Sequence, residues 1–257
     1  MKVCILGSGS KGNSIYIESR NTAVLIDQGF SHKQLKERLD SRGIDQSKIQ
    51  AILVTHEHDD HIKGVGISAR KLDIPVYGTT GTLGTKKNIF SGDEHVLPVE
   101  SGTSFTIGAL EILPFTVSHD AVDPVQFCVL SGKKKFATAT DLGFVSKLVE
   151  ERLRDSDIVV VEANHDVDML KNGSYPWELK QRIMSRFGHL SNRNAAELIF
   201  NLSHGKTKRV VLAHLSEENN TAECAERAVQ EVFEQFDRQL RTLIIANQNE
   251  ATSILEI

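Results

Sequence analysis

Short apolar runs bounded by turn residues recur along the chain, and they predict many β-strands. In the first third, the runs KVCIL, SIYIE and AVLID are separated by the glycine-rich segment GSGSKGN and by SRNT. In the middle of the chain, TSFTIG, LEILPFTVS, VQFCVLSG and KKFATATD continue the pattern. Later runs such as DIVVVEAN and KRVVLAHLS have polar residues directly after the apolar ones.

Segments with helical spacing of apolar residues alternate with these strands. SHKQLKERLDSRG has Ser31 as its predicted N-cap and Gly43 as its predicted stop, and HIKGVGISARKL predicts one helix after the strand AILVT. FVSKLVEERL, YPWELKQRIMSRFG, NRNAAELIFNL and TAECAERAVQEVFEQF predict further helices, with Pro176 in the first turn of the second. With no linker or repeat, this order predicts a single α/β (α+β) domain over residues 1–257, in which two mixed β-sheets are flanked by helices.

Composition and charge narrow the classes of partner. The 257 residues carry a net charge of −4, so no overall basic field indicates nucleic acid, although a local basic patch stays open. The three cysteines show no CxxC spacing, which favours a reducing, cytoplasmic location. The N-terminal apolar run is too short for a signal peptide and no stretch reaches membrane length, so no membrane association is expected.

The glycines of GSGSKG match the dinucleotide-binding pattern GxGxxG, and Asp27 follows at a suggestive distance. That pattern binds a cofactor only when a helix follows, because the pyrophosphate lies on the helix N-terminus. Here the alternating segment NSIYIES follows instead. We therefore predict a tight hairpin whose backbone lies near a site.

The segment VTHEHDDH places three histidines and three acids directly after a buried strand. Residues i and i+2 of a strand point to the same face, so His56 and His58 are expected to converge on one point. Asp60 and His61 follow at the expected start of a helix. Imidazole and carboxylate ligands suit zinc, manganese or iron, and the pattern H-x-H-x-D-H predicts a metal site.

Four more polar residues end apolar runs elsewhere in the chain, where a rigid strand would hold them: Asp27, His119, Asp141 and His214. The other two acids of the histidine segment, Glu57 and Asp59, are expected to be solvated or to contact ligands rather than to bind metal.

The H-x-H-x-D-H block, the later histidine, the aspartate and the final histidine occur in the order found in the metallo-β-lactamase fold superfamily of metallohydrolases, which nearly the whole chain resembles. The segments SHDAVDP, EANHDVDML, YPWELKQRI, GHLSN and LAHLSEENN resemble the bacterial YycJ/WalJ branch of DNA exonucleases. The tRNase Z and phosphonate-pathway phosphodiesterase branches are also similar. The resemblance implies a four-layer αβ/βα sandwich with the site at one edge of the sheets.

The resemblance further implies two divalent ions (zinc or manganese, with iron as a third choice) and a hydroxide that bridges them. The implied ligands are His56, His58 and His119 for the first ion, Asp60, His61 and His214 for the second, and Asp141 as the bridge. Asp27 is expected to orient a ligand or the water. Asp60, Asp27 and His189 are the predicted catalytic residues.

His189, in the segment GHLSN, is predicted to protonate the leaving oxygen, because related phosphodiesterases have a non-ligand histidine in such a segment. Glu162 or another carboxylate is expected to orient it. Alternatively, His189 only ends the helix after Phe187, where an imidazolium suits the helix dipole. For His165 in EANHD, contact with substrate, an extra metal and a structural role all stay open.

Two groups of basic residues are candidates for contact with a nucleic-acid backbone, with solvated turns as the alternative: Lys133, Lys134 and Lys135, and Arg182, Arg186 and Arg193. Two divalent ions with two carboxylates and a hydroxide leave a formal charge of about +1, which favours a phosphate ester as substrate.

The sequence therefore predicts a metal-dependent phosphodiesterase, a 5′–3′ DNA exonuclease that uses the bridging hydroxide. The alternative is a hydrolase of a small substrate on the same site, such as a cyclic phosphodiester, a lactone or a thioester. A metal-bearing interaction module without activity is disfavoured because every ligand position is filled.

Overall fold

The computed structural model describes residues 1–85, 89–90, 92–207, 209–238, 240 and 242–257. The strands, in chain order, are β1 Lys2–Gly7, β2 Ser14–Ser19, β3 Thr22–Ile26, β4 Ile49–Leu53, β5 Val76–Gly78, β6 Val96–Pro98, β7 Phe105–Ile107, β8 Leu110–Thr116, β9 Val125–Ser131, β10 Lys134–Ala139, β11 Ile158–Glu162, β12 Arg209–Ala213, β13 Leu243–Ile245 and β14 Leu255–Glu256. The helices are α1 His32–Asp40, α2 Asp59–Ile62, α3 Val65–Leu72, α4 Thr80–Thr85, α5 Lys147–Leu153, α6 Val167–Asn172, α7 Trp177–Ile183, α8 Asn192–Leu202 and α9 Ala222–Glu234.

The chain divides into two compact units. The first comprises Met1–Thr116, Ala121–Lys134 and Ala246–Ile257, and the second comprises Val117–Asp120 and Lys135–Ile245. The single domain over residues 1–257 stays a prediction.

In the first unit, seven strands form a mixed sheet in the order β14-β1-β2-β3-β4-β5-β6. The strands β14, β1, β2 and β3 pair antiparallel, and β3 to β6 pair parallel. Strands β7, β8 and β9 of the same unit pair antiparallel. Because β3 and β4 are parallel neighbours, the residues that follow them leave the sheet at the same edge.

In the second unit, β10, β11, β12 and β13 pair parallel, as part of the second mixed sheet of the chain. Val159, Val160 and Val161 of β11 are completely buried, as expected for a strand covered on both faces. In register, Ala139 lies opposite Val161, and Glu162 lies opposite Ala213. The polar residues at or just after the carboxyl ends of these strands therefore share one edge.

The glycine-rich segment forms a hairpin, as predicted. Strands β1 and β2 pair antiparallel on either side of it, and β2 pairs antiparallel with β3. No helix lies between Gly12 and Asp27, so the helix N-terminus that a dinucleotide needs is absent from this fully described stretch.

The structure corrects the prediction of one helix for HIKGVGISARKL. Two short helices, α2 and α3, occupy this stretch, and Gly64 caps the second. A Cβ at Gly64 would lie 1.7 Å from the carbonyl oxygen of Phe30, so only glycine permits this close backbone packing.

Three smaller differences concern helix ends and helices that were not predicted. Ser31 caps α1 in a capping box as predicted, but α1 ends at Asp40, before Gly43. Pro176 is the N-cap of α7 rather than a residue of its first turn. The short helices α4 and α6 lack a long apolar repeat and were not predicted. Within the described residues, no helix is both long and apolar enough to cross a membrane.

We expect replacement of Glu18 by glutamine to lower the free energy of unfolding by about 1 kcal/mol at neutral pH. Glu18 accepts from Lys48 Nζ at 2.6 Å and from the Tyr16 hydroxyl at 2.9 Å. Burial acts to raise the pKa of Glu18, but these donors outweigh burial and lower it.

Because the folded pKa lies below that of an unfolded glutamate (about 4.3), this contribution is present above that pH and is lost as pH falls through the folded value. Urea unfolding of both proteins between neutral and acidic pH measures the difference. Glu256→Gln is the matched control, because Glu256 is exposed and 3.8 Å from Lys2. A difference that persists at acidic pH would contradict the assignment.

Candidate metal centre

Asp27 directly follows β3 in the first unit, and both of its carboxylate oxygens accept hydrogen bonds. It has a left-handed backbone with φ of 59°, which is uncommon outside glycine. Its Oδ1 accepts from the backbone N–H of Thr55 at 2.8 Å, and its Oδ2 accepts from the Thr55 hydroxyl at 2.8 Å. Burial raises the pKa of the Asp27 carboxyl, while His61 and Thr55 oppose that rise.

The hydrogen bonds of His61 and His56 indicate which ring nitrogen of each carries a proton. His61 Nδ1 lies 2.8 Å from Asp27 Oδ2, so Nδ1 carries the proton and Nε2 keeps its lone pair. The Thr55 hydroxyl donates to Asp27, so it accepts from His56 Nδ1 at 2.9 Å. Both rings therefore offer Nε2 as a lone-pair donor, which is the state that a metal ligand requires.

His58 and Asp60 of the same segment lie close to His56 and His61. His56 Nε2 lies 3.0 Å from His58 Nδ1, and the His56 and His61 ring centroids are 4.2 Å apart. Asp60 Oδ2 lies 3.4 Å from His61 Nε2. The structure thus brings together the four residues that the segment predicted, with Asp27 behind them.

Asn13 is a member of this cluster that the sequence did not predict. Its amide Nδ2 lies 3.1 Å from Asp60 Oδ2 and 3.1 Å from His61 Nε2, and its Oδ1 accepts from the Gly9 N–H at 2.9 Å. The glycine-rich hairpin therefore places an amide against two predicted ligands, in agreement with the expectation that its backbone lies near a site.

The two other acids of the segment differ from each other. Glu57 is buried, and its Oε1 accepts from the N–H of Val122 at 2.8 Å. Asp59 is exposed in the first turn of α2, where its negative charge is attracted to the partial positive charge of the helix N-terminus.

In the second unit, Glu162 at the end of β11 contacts two histidines at once. Its Oε1 lies 2.7 Å from His189 Nδ1 and 2.7 Å from His214 Nδ1. Burial acts to raise the pKa of Glu162, but the two imidazoles outweigh burial and hold the pKa below its ordinary value. The sequence suggested Glu162 as a partner of His189, whereas its contact with His214 was not foreseen.

Asp141 and His214 lie against Glu162 at neighbouring strand ends. Both have left-handed backbones with φ of 55°, and His214 Nδ1 lies 3.4 Å from Asp141 Oδ1. Ligand atoms of Asp141, Glu162, His189 and His214 all lie within 4.8 Å of one another. Non-glycine residues in this conformation cluster at functional sites, where the surrounding structure maintains the strain.

His119 belongs to the same cluster. Its Nδ1 lies 3.2 Å from the carbonyl oxygen of Gly188, so Nδ1 donates and Nε2 keeps its lone pair, 3.9 Å from Asp141 Oδ1. Burial lowers the pKa of His119, which favours the neutral ring that binds metal.

The pKa of His189 is shifted in the opposite direction from that of His119. Burial acts to lower the pKa of His189, but the charge of Glu162 outweighs burial and raises it. A raised pKa favours the protonated ring, which is the form that a proton donor requires.

His165, whose role the sequence left open, is 2% exposed, and its Nδ1 has no hydrogen-bond partner within the described residues. Burial lowers its pKa to about 4. Its backbone carbonyl accepts from the N–H of Asn192 at 2.9 Å. The ring is therefore neutral, and its backbone joins the loop after β11 to the start of α8.

The basic residues that were predicted to contact nucleic acid have different partners in the structure. Arg182 pairs with Asp120, and Arg193 Nε lies 2.8 Å from Glu197 Oε1. The Arg186 guanidinium lies 4.4 Å from the centre of the Phe144 ring. Lys135 Nζ donates to the Arg154 carbonyl oxygen. Lys133 follows Gly132 in the turn between β9 and β10, and Lys134 is the first residue of β10.

The donor sets of both units fit divalent cations. In each unit, carboxylate, hydroxyl or carbonyl oxygens hold the Nδ1 protons of buried histidines, which leaves Nε2 lone pairs beside a carboxylate. Imidazole and carboxylate together suit zinc, manganese and iron.

Comparison with known proteins identifies the family. The family model described as the β-lactamase superfamily domain matches residues 22–215. The chain is 40% identical over 242 residues to exodeoxyribonuclease WalJ of Streptococcus pneumoniae, covering 92% of this chain and 89% of that protein. It is 38% identical over 235 residues to exodeoxyribonuclease YycJ of Bacillus anthracis, covering 90% and 88%.

Solved structures confirm the predicted fold class of two mixed sheets flanked by helices. The metallo-β-lactamase fold protein YhfI of Bacillus subtilis superposes with a TM-score of 0.74 at 15% identity, covering 98% of both chains. Zn²⁺-bound PqqB of Methylobacterium extorquens gives a TM-score of 0.72 at 18% identity over the full length of both chains. The chain therefore belongs to the metallo-β-lactamase superfamily and, within it, to the family of WalJ and YycJ.

Proposed function

We propose that this protein is a metal-dependent phosphodiesterase that removes nucleotides from DNA ends in the 5′–3′ direction. The observation that carries the proposal is the similarity, along about nine-tenths of the chain, to two bacterial proteins named exodeoxyribonucleases. The histidine and carboxylate clusters support it, because they fit the ions that such chemistry uses.

Superfamily membership implies divalent metal binding, and we propose two ions, zinc or manganese with iron as a third choice. The proposed ligands are those that the resemblance implies: His56, His58 and His119, then Asp60, His61 and His214, with Asp141 shared. When bound, two divalent ions polarise a phosphodiester and make water a stronger nucleophile.

The protein residues around these ligands control orientation and protons. Asp27 holds the proton on His61 Nδ1, and Glu162 holds the proton on His214 Nδ1, so that each Nε2 faces the site. Glu162 likewise orients His189 through Nδ1. In this proposal, His189 donates its Nε2 proton to the leaving oxygen of the cleaved phosphodiester.

End-labelled DNA tests the proposal directly. With Mn²⁺, the protein is expected to shorten duplex DNA, to release labelled mononucleotide early from a 5′ label, and to produce a ladder from a 3′ label. EDTA is expected to stop the reaction. Turnover of a cyclic dinucleotide or another small phosphodiester, without any shortening of DNA, would replace this proposal with the small-substrate alternative.

A further inference from the structure

Two large aromatic rings are exposed beside the cluster of the second unit. Phe187 is 59% exposed and Phe144 is 42% exposed. The Arg186 guanidinium lies over the Phe144 ring at 4.4 Å from its centre. A single exposed apolar side chain is normal, but two aromatic rings and a guanidinium on adjoining loops beside a polar cluster form a candidate binding surface.

Hydrogen bonds hold these rings on ordered loops. The N–H of Asp120 donates to the carbonyl oxygen of Phe187 at 3.0 Å, and the Ser118 hydroxyl donates to that of Arg186 at 2.8 Å. The N–H of Gly143 donates to the Ser118 carbonyl oxygen at 3.0 Å. The backbones around Phe144 and Phe187 are thus fixed to the same short segment.

Close backbone packing at Gly143 brings the two loops together. A Cβ at Gly143 would lie 2.3 Å from the Ser185 carbonyl oxygen and 2.6 Å from the Gly188 nitrogen. The absence of a side chain therefore lets the loop that carries Phe144 lie directly on the turn that carries Phe187. Preorganised rings of this kind bind a ligand without the entropy cost of ordering a loop.

The loops that carry the rings also carry residues of the cluster. Phe187 is two residues before His189, and Phe144 is three residues after Asp141. His119 contacts the Gly188 carbonyl oxygen at 3.2 Å, so the turn of Phe187 touches a predicted ligand directly. Phe187 is therefore on a turn whose next two residues contact or belong to the cluster.

We propose that Phe187, with the Arg186–Phe144 pair, is a stacking surface for an unpaired base at the end of a DNA strand. The inference rests on the proposed nuclease function and names the part of the substrate that this surface binds. Aromatic rings stack on any base, and a guanidinium attracts the phosphate that follows it. The combination of ring and permanent cation favours a nucleotide over an apolar peptide.

Binding to single-stranded oligonucleotides, measured by fluorescence anisotropy, tests this surface. EDTA is present so that the DNA is not cleaved during the measurement. One oligonucleotide carries normal ends, and its partner of equal length has abasic residues at the two terminal positions of both ends; the fluorophore is internal. Wild-type protein is expected to prefer the normal ends by at least about fivefold, the lower range of base–aromatic stacking. Phe187→Ala should bind both oligonucleotides as weakly as wild type binds the abasic one.

Two matched variants control the experiment. Phe187→Tyr keeps an aromatic ring and should retain the preference for normal ends. Phe236→Ala removes a ring of similar exposure (58%) that stacks on Phe200 instead, and it should also retain the preference. Unchanged affinity of Phe187→Ala for the abasic oligonucleotide shows that this variant is folded.

Equal affinity of wild type for both oligonucleotides, or equal losses on both in Phe187→Ala, would overturn the inference. Failure of the nuclease proposal would show separately, as wild-type protein that does not shorten DNA with Mn²⁺.

Discussion

Replacement of His61 by alanine is expected to abolish metal-dependent shortening of DNA and to reduce the bound metal. His61 Nε2 faces Asp60 and is a proposed ligand, and its Nδ1 is the partner of Asp27. Loss of an outer partner of a ligand typically costs about 10- to 100-fold in metal affinity, so loss of the ligand itself should cost more. Elemental analysis after dialysis and the end-labelled DNA assay measure the two effects.

His204→Ala is the matched control for His61→Ala. His204 is an exposed histidine whose ring contacts Phe200 edge-on, and its removal should change neither metal content nor activity. His61→Ala also leaves Asp27 buried with fewer partners, so circular dichroism must show that the variant is folded. Full metal content together with full activity in folded His61→Ala would contradict the ligand assignment.

Replacement of His189 by alanine is expected to lower turnover of DNA by about 10²- to 10⁴-fold, the usual contribution of a positioned proton donor. Metal content should not change, because His189 is proposed to act on the leaving oxygen. The raised pKa that Glu162 gives to His189 supports the role of donor. Initial rates on DNA, with metal content measured in the same samples, test the prediction.

A substrate with a good leaving group separates a proton donor from a ligand. The nitrophenolate that leaves from a p-nitrophenyl ester of a nucleotide needs no proton, so His189→Ala should lose much less activity on that ester than on DNA. Equal losses on both substrates, or loss of metal, would instead identify His189 as a ligand or a structural residue. The alternative in which it only ends a helix predicts no specific effect on turnover.

The local part of the site was predictable from the sequence because its spacing is short. His56, His58 and His61 lie within six residues after β4, so their clustering was predictable, although β4 ends at Leu53 and the segment that brings His56 and His58 together is not a strand as the sequence predicted. Asp141 and His214 were suggested by their positions after apolar runs. The parallel register of β10, β11 and β12 explains their proximity, because it aligns the ends of these strands.

Contacts between distant segments were not predictable in the same way. Asn13 reaches Asp60 across 47 positions, through a hairpin whose glycines matched an unrelated motif. The break between α2 and α3 depends on the carbonyl oxygen of Phe30, which no local pattern reveals. The exposure of Phe187 is equally a property of the folded turn, since the sequence only shows an aromatic residue beside glycine.

The sharing of Glu162 between His189 and His214 limits how this protein can be redesigned. Glu162 orients both His189, the proposed acid, and His214, the proposed ligand. A substitution of Glu162 that is chosen to move the pH optimum of activity would therefore also change the binding of the proposed metal ion. Acidity and metal affinity would have to change together at that position. The His189 side chain is 22% exposed, whereas Glu162 is buried. Substitutions intended to change the pH optimum should therefore be made near the exposed side of His189 and should keep Glu162.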